Sequence, residues 1–219
     1  MFSKVLKATL ICSATAMAVA SLFGCHIEKE STKNYSKSFN DEIISLDVQL
    51  PWGEIEITST NEDRASVDAQ NVPDGFFAEV NNGVLKFTFS SDNKLNINKN
   101  GNDTHITLKL PEKDYSNLKL DLSSGNTTIE NIKVNNIDIN CNSGNINIST
   151  IKNTDLKLIN ECGNVNINNS TLGNIDITAS ASKINLELTN SKSDYFGDNS
   201  KYSLNIKNAS GETNVSYNN

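Results

Sequence analysis

From Asn117 onward the sequence repeats itself every nineteen residues, and this period constrains the fold more than any other feature of the chain. Four units, beginning at Asn117, Asn136, Asp155 and Asn174, align without a slip. Gly125, Gly144 and Gly163 hold the same place in the first three, and Ser182 holds it in the fourth. Within each unit apolar and polar residues alternate, the period-two pattern of a strand with one buried face. The apolar positions align as columns: Leu118, Ile137, Leu156, Ile175; then Leu120, Ile139, Leu158, Ile177; and, after the glycine, Thr127, Ile146, Val165, Ile184 and Ile129, Ile148, Ile167, Leu186.

A unit this short cannot bury its own apolar face, so neighbouring units must stack. In an antiparallel meander each unit would be one hairpin. In a solenoid each unit is one coil, and equivalent residues stack about 4.8 Å apart. The polar columns favour the solenoid. Asn126, Asn145 and Asn164 share one position, and Asn147, Asn166 and Asn185 another, where stacked amides can bond along a ladder. Lys119, Asp138, Lys157 and Asp176 alternate in sign at an outward position, so stacking sets each charge between opposites. The fold class expected is all-β: a β-solenoid, single-stranded and β-helix-like, built from coils of about nineteen residues, with a more irregular β part before it.

The pattern returns at Leu204, Ile206, Gly211, Thr213 and Val215, but ten residues late. The insertion falls near residues 190–200 and contains Tyr195, Phe196 and Gly197, the candidate binding loop. Upstream of Asn117, strands are expected at Ile43–Leu50, Glu54–Thr58, Ala65–Gln70, Phe76–Val80, Val84–Phe89, Leu95–Asn98 and His105–Leu110. Pro51-Trp52-Gly53 and Asn81-Asn82-Gly83 supply turns between them. Trp52, Phe76, Phe77, Phe87 and Phe89 are expected to close the N-terminal end of the array and protect its strand edge.

At the N-terminus, Lys4 and Lys7 precede an uncharged apolar stretch from Ala8 to Phe23 that ends in Gly24-Cys25. The stretch is short for a membrane span and reads as a signal peptide. Its tail resembles a lipobox, which implies that residues 1–24 are removed and that Cys25 carries a diacylglycerol anchor. Residues 25–42 are polar and read as a flexible tether, followed by an N-terminal β region over 43–116 and the repeat over 117–219. Losing Lys4 and Lys7 leaves 17 basic against 26 acidic residues, a net charge of −9. That sign disfavours nucleic acid as a partner. No basic amphipathic segment offers itself to an anionic membrane surface, so the lipid is the one membrane contact expected. Of the four cysteines, Cys12 leaves with the signal and Cys25 is lipidated. Cys141, in the inward column of Leu122, and Cys162 are left as a candidate disulfide pair.

The strand ending in Leu110-Pro111, the run Leu118-Lys119-Leu120-Asp121-Leu122-Ser123-Ser124-Gly125 and the recurring Ser143-Gly144-Asn145-Ile146 resemble the DUF4097-type β-strand-repeat family, found on bacterial lipoproteins and labelled as adhesins. The resemblance runs from about Ile43 to the end. It implies a β-solenoid-like structure and a cell-envelope setting.

Chemistry is hard to find in the sequence. His26 lies beside Cys25, and His105 is a strand residue without an evident partner. Pectate-lyase-like solenoids gather carboxylates on one face, but here Lys157 separates Asp138 from Asp176 and Glu161 stands alone, which gives neither a carboxylate pair nor a calcium cage. The expectation is therefore a non-catalytic protein without metal or cofactor, exported and lipid-anchored to the bacterial membrane, and acting as an adhesin-like binding or display module. Its partner would be a glycan or an envelope or host surface protein. The alternative is a structural or regulatory envelope-stress component, and a polysaccharide-active β-helix enzyme ranks below both.

Overall fold

The computed structural model describes residues 32–89 and 104–217. The signal peptide, Cys25, His26 and the candidate strand Leu95–Asn98 lie outside the described residues. The strands are β1 (Thr32–Ser38), β2 (Ser45–Leu50), β3 (Glu54–Thr60), β4 (Ser66–Pro73), β5 (Phe76–Asn81), β6 (Val84–Phe89), β7 (His105–Pro111), β8 (Asp114–Ser124), β9 (Thr127–Glu130), β10 (Lys133–Ser143), β11 (Ile146–Ser149), β12 (Lys152–Cys162), β13 (Val165–Ala181), β14 (Ile184–Leu188), β15 (Leu204–Ser210) and β16 (Thr213–Tyr217). Among the described residues no helix is long and apolar enough to cross a membrane.

The chain winds as a β-solenoid with two strand faces. The long face stacks β6, β2, β8, β10, β12, the second part of β13 and β15, all parallel. The short face stacks β7, β3, β9, β11, the first part of β13, β14 and β16, again parallel. The register is the one the repeat demands: Leu118 pairs with Ile137, Ile137 with Leu156, Leu156 with Ile175, and Ile175 with Leu204 across the insertion. The inward columns make the core, with Leu120, Ile139, Leu158 and Ile177 all fully buried. Each such side chain contributes on the order of 2 kcal/mol by leaving water.

Two corners turn each coil. At the first, a Cβ built on Gly125 would stand 1.7 Å from the carbonyl oxygen of Gly53, and one on Gly163 would stand 2.1 Å from that of Gly144. Backbone packs directly on backbone at these levels, where a side chain would collide, while Ser182 holds the corner of the fourth unit. At the second corner Asn131, Thr150 and Asn169 all adopt left-handed φ, of 54°, 56° and 48°.

Two coils lie below the repeat that begins at Asn117. Ser45–Leu50 and Glu54–Thr60 form one, with Leu46 under Leu118, Ile55 under Thr127 and Gly53 as its corner glycine. β6 and β7 form the next one down, Leu85 under Leu46 and Ile106 under Ile55. The chain thus lays its second coil beneath its first and returns upward to continue. The region expected to be irregular, 43–116, belongs in large part to the same stack.

The N-terminal end is closed by antiparallel strands: β5 on β6, β4 on β7 and β1 on β4. β1 corrects the expectation of a tether over 25–42, since Thr32–Ser38 is an edge strand. Tyr35 anchors it, with its ring 5.1 Å from Phe76 and its hydroxyl donating to the carbonyl of Ala78. Phe76 and Phe87 are buried and pack edge to face at 5.5 Å, as expected of a cap, while Phe77 is exposed and Trp52 half-buried. At the C-terminal end β15 and β16 each pair on one side among the described residues, and Leu204, Ile206 and Val215 are only partly covered.

Candidate functional site

The outward side chains of the two faces are ordered by stacking. On the long face the alternating column extends below the repeat, running Lys86, Asp47, Lys119, Asp138, Lys157, Asp176 and ending in Asn205. Lys86 reaches Asp47, itself half-buried, at 3.9 Å, and Lys157 reaches Asp138 at 3.5 Å on the open surface. Lys119 turns along its own strand to Asp121 at 2.8 Å, and that hydrogen bond is the main cause of its raised pKa. Exposed pairs of this kind stabilise little. Their role is to favour one register.

On the short face the amides form a hydrogen-bonded ladder. Asn166 Nδ2 donates to Asn147 Oδ1 at 3.0 Å, Asn185 Nδ2 to Asn166 Oδ1 at 3.0 Å, and Asn214 Nδ2 to Asn185 Oδ1 at 3.1 Å. At the first corner Asn145 donates to Asn126 Oδ1 through both its backbone N–H and Nδ2, each at 3.1 Å. Two residues along the strand from the long ladder runs a second outward row: Ser149, Asn168, Glu187 and Ser216. Between the rows lies a trough of about 530 Å³. It continues toward Tyr217 through a further space of about 280 Å³ lined by Asn169, Glu187 and Ser216.

The insertion stands at the end of this trough. A 3₁₀ turn, Lys192–Asp194, leads into Tyr195, whose ring is buried. The Tyr195 hydroxyl donates to the carbonyl of Leu172 at 2.7 Å, and burial pushes its pKa well up. Asn190, also buried, accepts from Leu172 N–H at 2.8 Å and donates to Leu172 O at 3.0 Å, replacing the missing strand partner. Backbone N–H groups of Lys201 and Tyr202 close the loop on the carbonyl of Asp194. The three residues expected to act together therefore separate. Tyr195 is a cap over the coil; Phe196 is 50% exposed, its ring edge-on to Tyr217 at 6.4 Å; and Gly197, at φ 103°, turns the chain in open space.

Cys141 is buried at its expected place in the Leu122 column and Cys162 is exposed, and both are free thiols. Cys162 pairs in register with Ser143, and Cys141 with Asn160, so the candidate disulfide is not formed and the two side chains differ in burial.

His105 has the partner the sequence did not reveal. The β3–β7 register sets it beside Glu54, with Nδ1 3.4 Å from Oε2, while Nε2 lies 3.3 Å from the Thr107 hydroxyl. Both contacts are long, and His105 and Glu54 are 40% and 50% exposed. The three form a polar cluster, with His105 and Glu54 on neighbouring strands and Thr107 two residues along from His105. Among the described residues no group of three or more His, Cys, Asp or Glu side chains is placed to hold a metal ion. At the other end of the molecule a cleft of about 600 Å³ is lined by Asp41, Asp63, Arg64, Lys113 and Tyr115. The buried Tyr115 phenol, pushed up to about 12 by desolvation, donates to the carbonyl of Pro111.

A parallel β-solenoid with amide ladders and a side loop defines the class of protein. The profile of the Toastrack DUF4097 family matches residues 43–219, and the chain belongs to that family. No curated protein matches it. Among solved structures it is similar to a candidate adhesin from Bacteroides fragilis, with 14% identity, a TM-score of 0.43 and coverage of 85% of this chain and 99% of that one. It is also similar to a candidate cell adhesion protein from Clostridium sporogenes, with 12% identity, a TM-score of 0.48 and coverage of 85% and 100%. A candidate lipid binding protein from Parabacteroides distasonis has 12% identity and a TM-score of 0.37, with coverage of 85% and 98%.

Proposed function

We propose that this chain is an exported lipoprotein, anchored through Cys25, whose solenoid holds a non-catalytic, adhesin-like binding surface away from the membrane. The observation that carries this reading is the position of the exposed Phe196. It stands beside the terminal coil, at the opposite end of the stack from β1. Only seven peptide steps separate Cys25 from Thr32, at most about 25 Å of chain, so an anchor at Cys25 keeps the capped end near the lipid. The proposal sets the insertion at the end of the stack remote from that anchor. Tyr195 and Asn190 fix the loop to the coil, so Phe196 is offered without the ordering cost of a free loop.

The test uses the full chain produced in a lipoprotein-processing bacterium fed an alkyne palmitate. Label should enter the chain and be lost with Cys25→Ala. Vesicles carrying the anchored chain should be retained by isolated cell-envelope material, and Phe196→Ala should abolish retention at unchanged melting temperature. Labelling that survives Cys25→Ala, or retention indifferent to Phe196, would contradict the proposal.

A further inference from the structure

We propose that the trough on the C-terminal half of the short face is a binding site for an uncharged, extended oligosaccharide, with Phe196, braced edge-on against Tyr217, stacking against a sugar ring at its end. This deepens the reading above and rests on it.

The lining sets the ligand class. An amide has two N–H donors and a carbonyl with two lone pairs. In the ladder Asn166 and Asn185 each spend one donor on the rung below and one acceptor site on the rung above. One donor and one acceptor per rung remain, which is what a sugar hydroxyl, itself donor and acceptor, complements. The rungs repeat at about 4.8 Å, so the same pair of valences recurs along a straight line, as the hydroxyls of an extended glycan do. Asn168, exposed on the second row, lines the same space, as does the Ser216 hydroxyl, which donates to the Leu186 carbonyl and keeps its acceptor sites.

Charge narrows the class further. Glu187 lines both parts of the trough and is exposed. A carboxylate accepts readily from neutral hydroxyls and repels polyanions, and the net charge of −9 after loss of the leader acts in the same direction. A protein partner would need an apolar cluster at the centre of its footprint. The exposed large apolar residues among those described are Ile44, Phe77 and Phe196, and of these only Phe196 lies by the trough. One aromatic pair beside rows of amides and hydroxyls suits a sugar, whose ring has an apolar face and a polar rim.

Isothermal titration of the detergent-solubilised full chain tests this, with hexasaccharides of β-1,4-linked N-acetylglucosamine, glucose and xylose as probes and hexagalacturonate as the anionic counter-probe. At least one neutral hexasaccharide should bind at millimolar concentration or below. Phe196→Ala and, separately, Asn168→Arg, which fills the trough from a side chain outside the ladder, should each weaken binding by about tenfold or more, a change of about 1.4 kcal/mol. Melting temperatures should not move. Absence of binding by every neutral probe, equal affinity in both variants, or preference for hexagalacturonate would overturn the assignment. If neutral probes fail while Phe196 still governs retention on cell-envelope material, the ligand class falls and the distal binding surface stands. If both fail, the broader reading falls with it.

Discussion

The carbonyl oxygen of Gly125 occupies the place where a side chain on residue 144 would begin, since a Cβ built on Gly144 would stand 1.8 Å from it. The same approach joins Gly53 to Gly125 and Gly144 to Gly163. Backbone atoms cannot yield as a flexible side chain would, so Gly144→Ala should separate two coils locally. The expected cost is about 3 kcal/mol or more, combining the clash with the strain of a φ of 153°. Gly197→Ala, which meets nothing within 4 Å, should cost only the strain, about 1 kcal/mol. Urea unfolding of the two variants side by side measures the difference.

Thr150 takes a left-handed φ of 56° in a column otherwise filled by Asn131 and Asn169. A β-branched residue is strained there, and asparagine is tolerated. Thr150→Asn should therefore stabilise the protein by about 1 kcal/mol, and the reverse change, Asn131→Thr, should destabilise it. Asn131 also donates to the Ser59 hydroxyl at 2.8 Å, so its loss should exceed the gain at Thr150. Paired denaturation midpoints decide the ordering.

Asn166 both donates and accepts within the amide ladder. Asn166→Ala should cost about 1 kcal/mol for the bonds removed. Asn166→Asp should cost more at neutral pH, because it sets a carboxylate oxygen against the carbonyl oxygen of Asn147. A ladder without energetic weight would give equal midpoints for both variants and the native chain.

The two thiols should differ in reactivity. Burial pushes the Cys141 thiol up and hides it, whereas Cys162 is exposed. In a native chain carrying Cys12→Ser and Cys25→Ser, one equivalent of maleimide should react, at Cys162, and a second only after unfolding. No reaction in the denatured, unreduced chain would mean that the two are bonded.

The repeat was legible because nineteen residues return the chain to the same point of the coil, so each column is written at a constant interval. The coils beneath it were not. Leu46, Val48, Leu50, Gly53, Ile55 and Ile57 carry the spacings of Leu118, Leu120, Leu122, Gly125, Thr127 and Ile129. They stand seventy-two residues upstream instead of nineteen, because β4 to β7 intervene and one coil is laid out of order. β1 was illegible for a different reason: Tyr35 is the one large apolar side chain in an otherwise polar edge strand. The partnership of His105 with Glu54 needed the register between two distant strands. At the insertion, sequence located the loop but not the division of labour between the buried Tyr195 and the exposed Phe196, which depends on how Leu172 is satisfied.

The central claim is that the proposed lipid at Cys25 adjoins the β1 end of the stack and that Phe196 stands at the other end, and energy transfer to the membrane tests it most directly. The full chain carrying Cys162→Ser would be reconstituted through the proposed Cys25 lipid into vesicles doped with an acceptor dye, with a donor placed at Thr32→Cys or at Phe196→Cys in separate preparations. Seven stacked coils span six steps of about 4.8 Å, roughly 29 Å. Transfer from position 32 should be strong and transfer from position 196 markedly weaker. Equal transfer from the two positions, or stronger transfer from 196, would contradict the account.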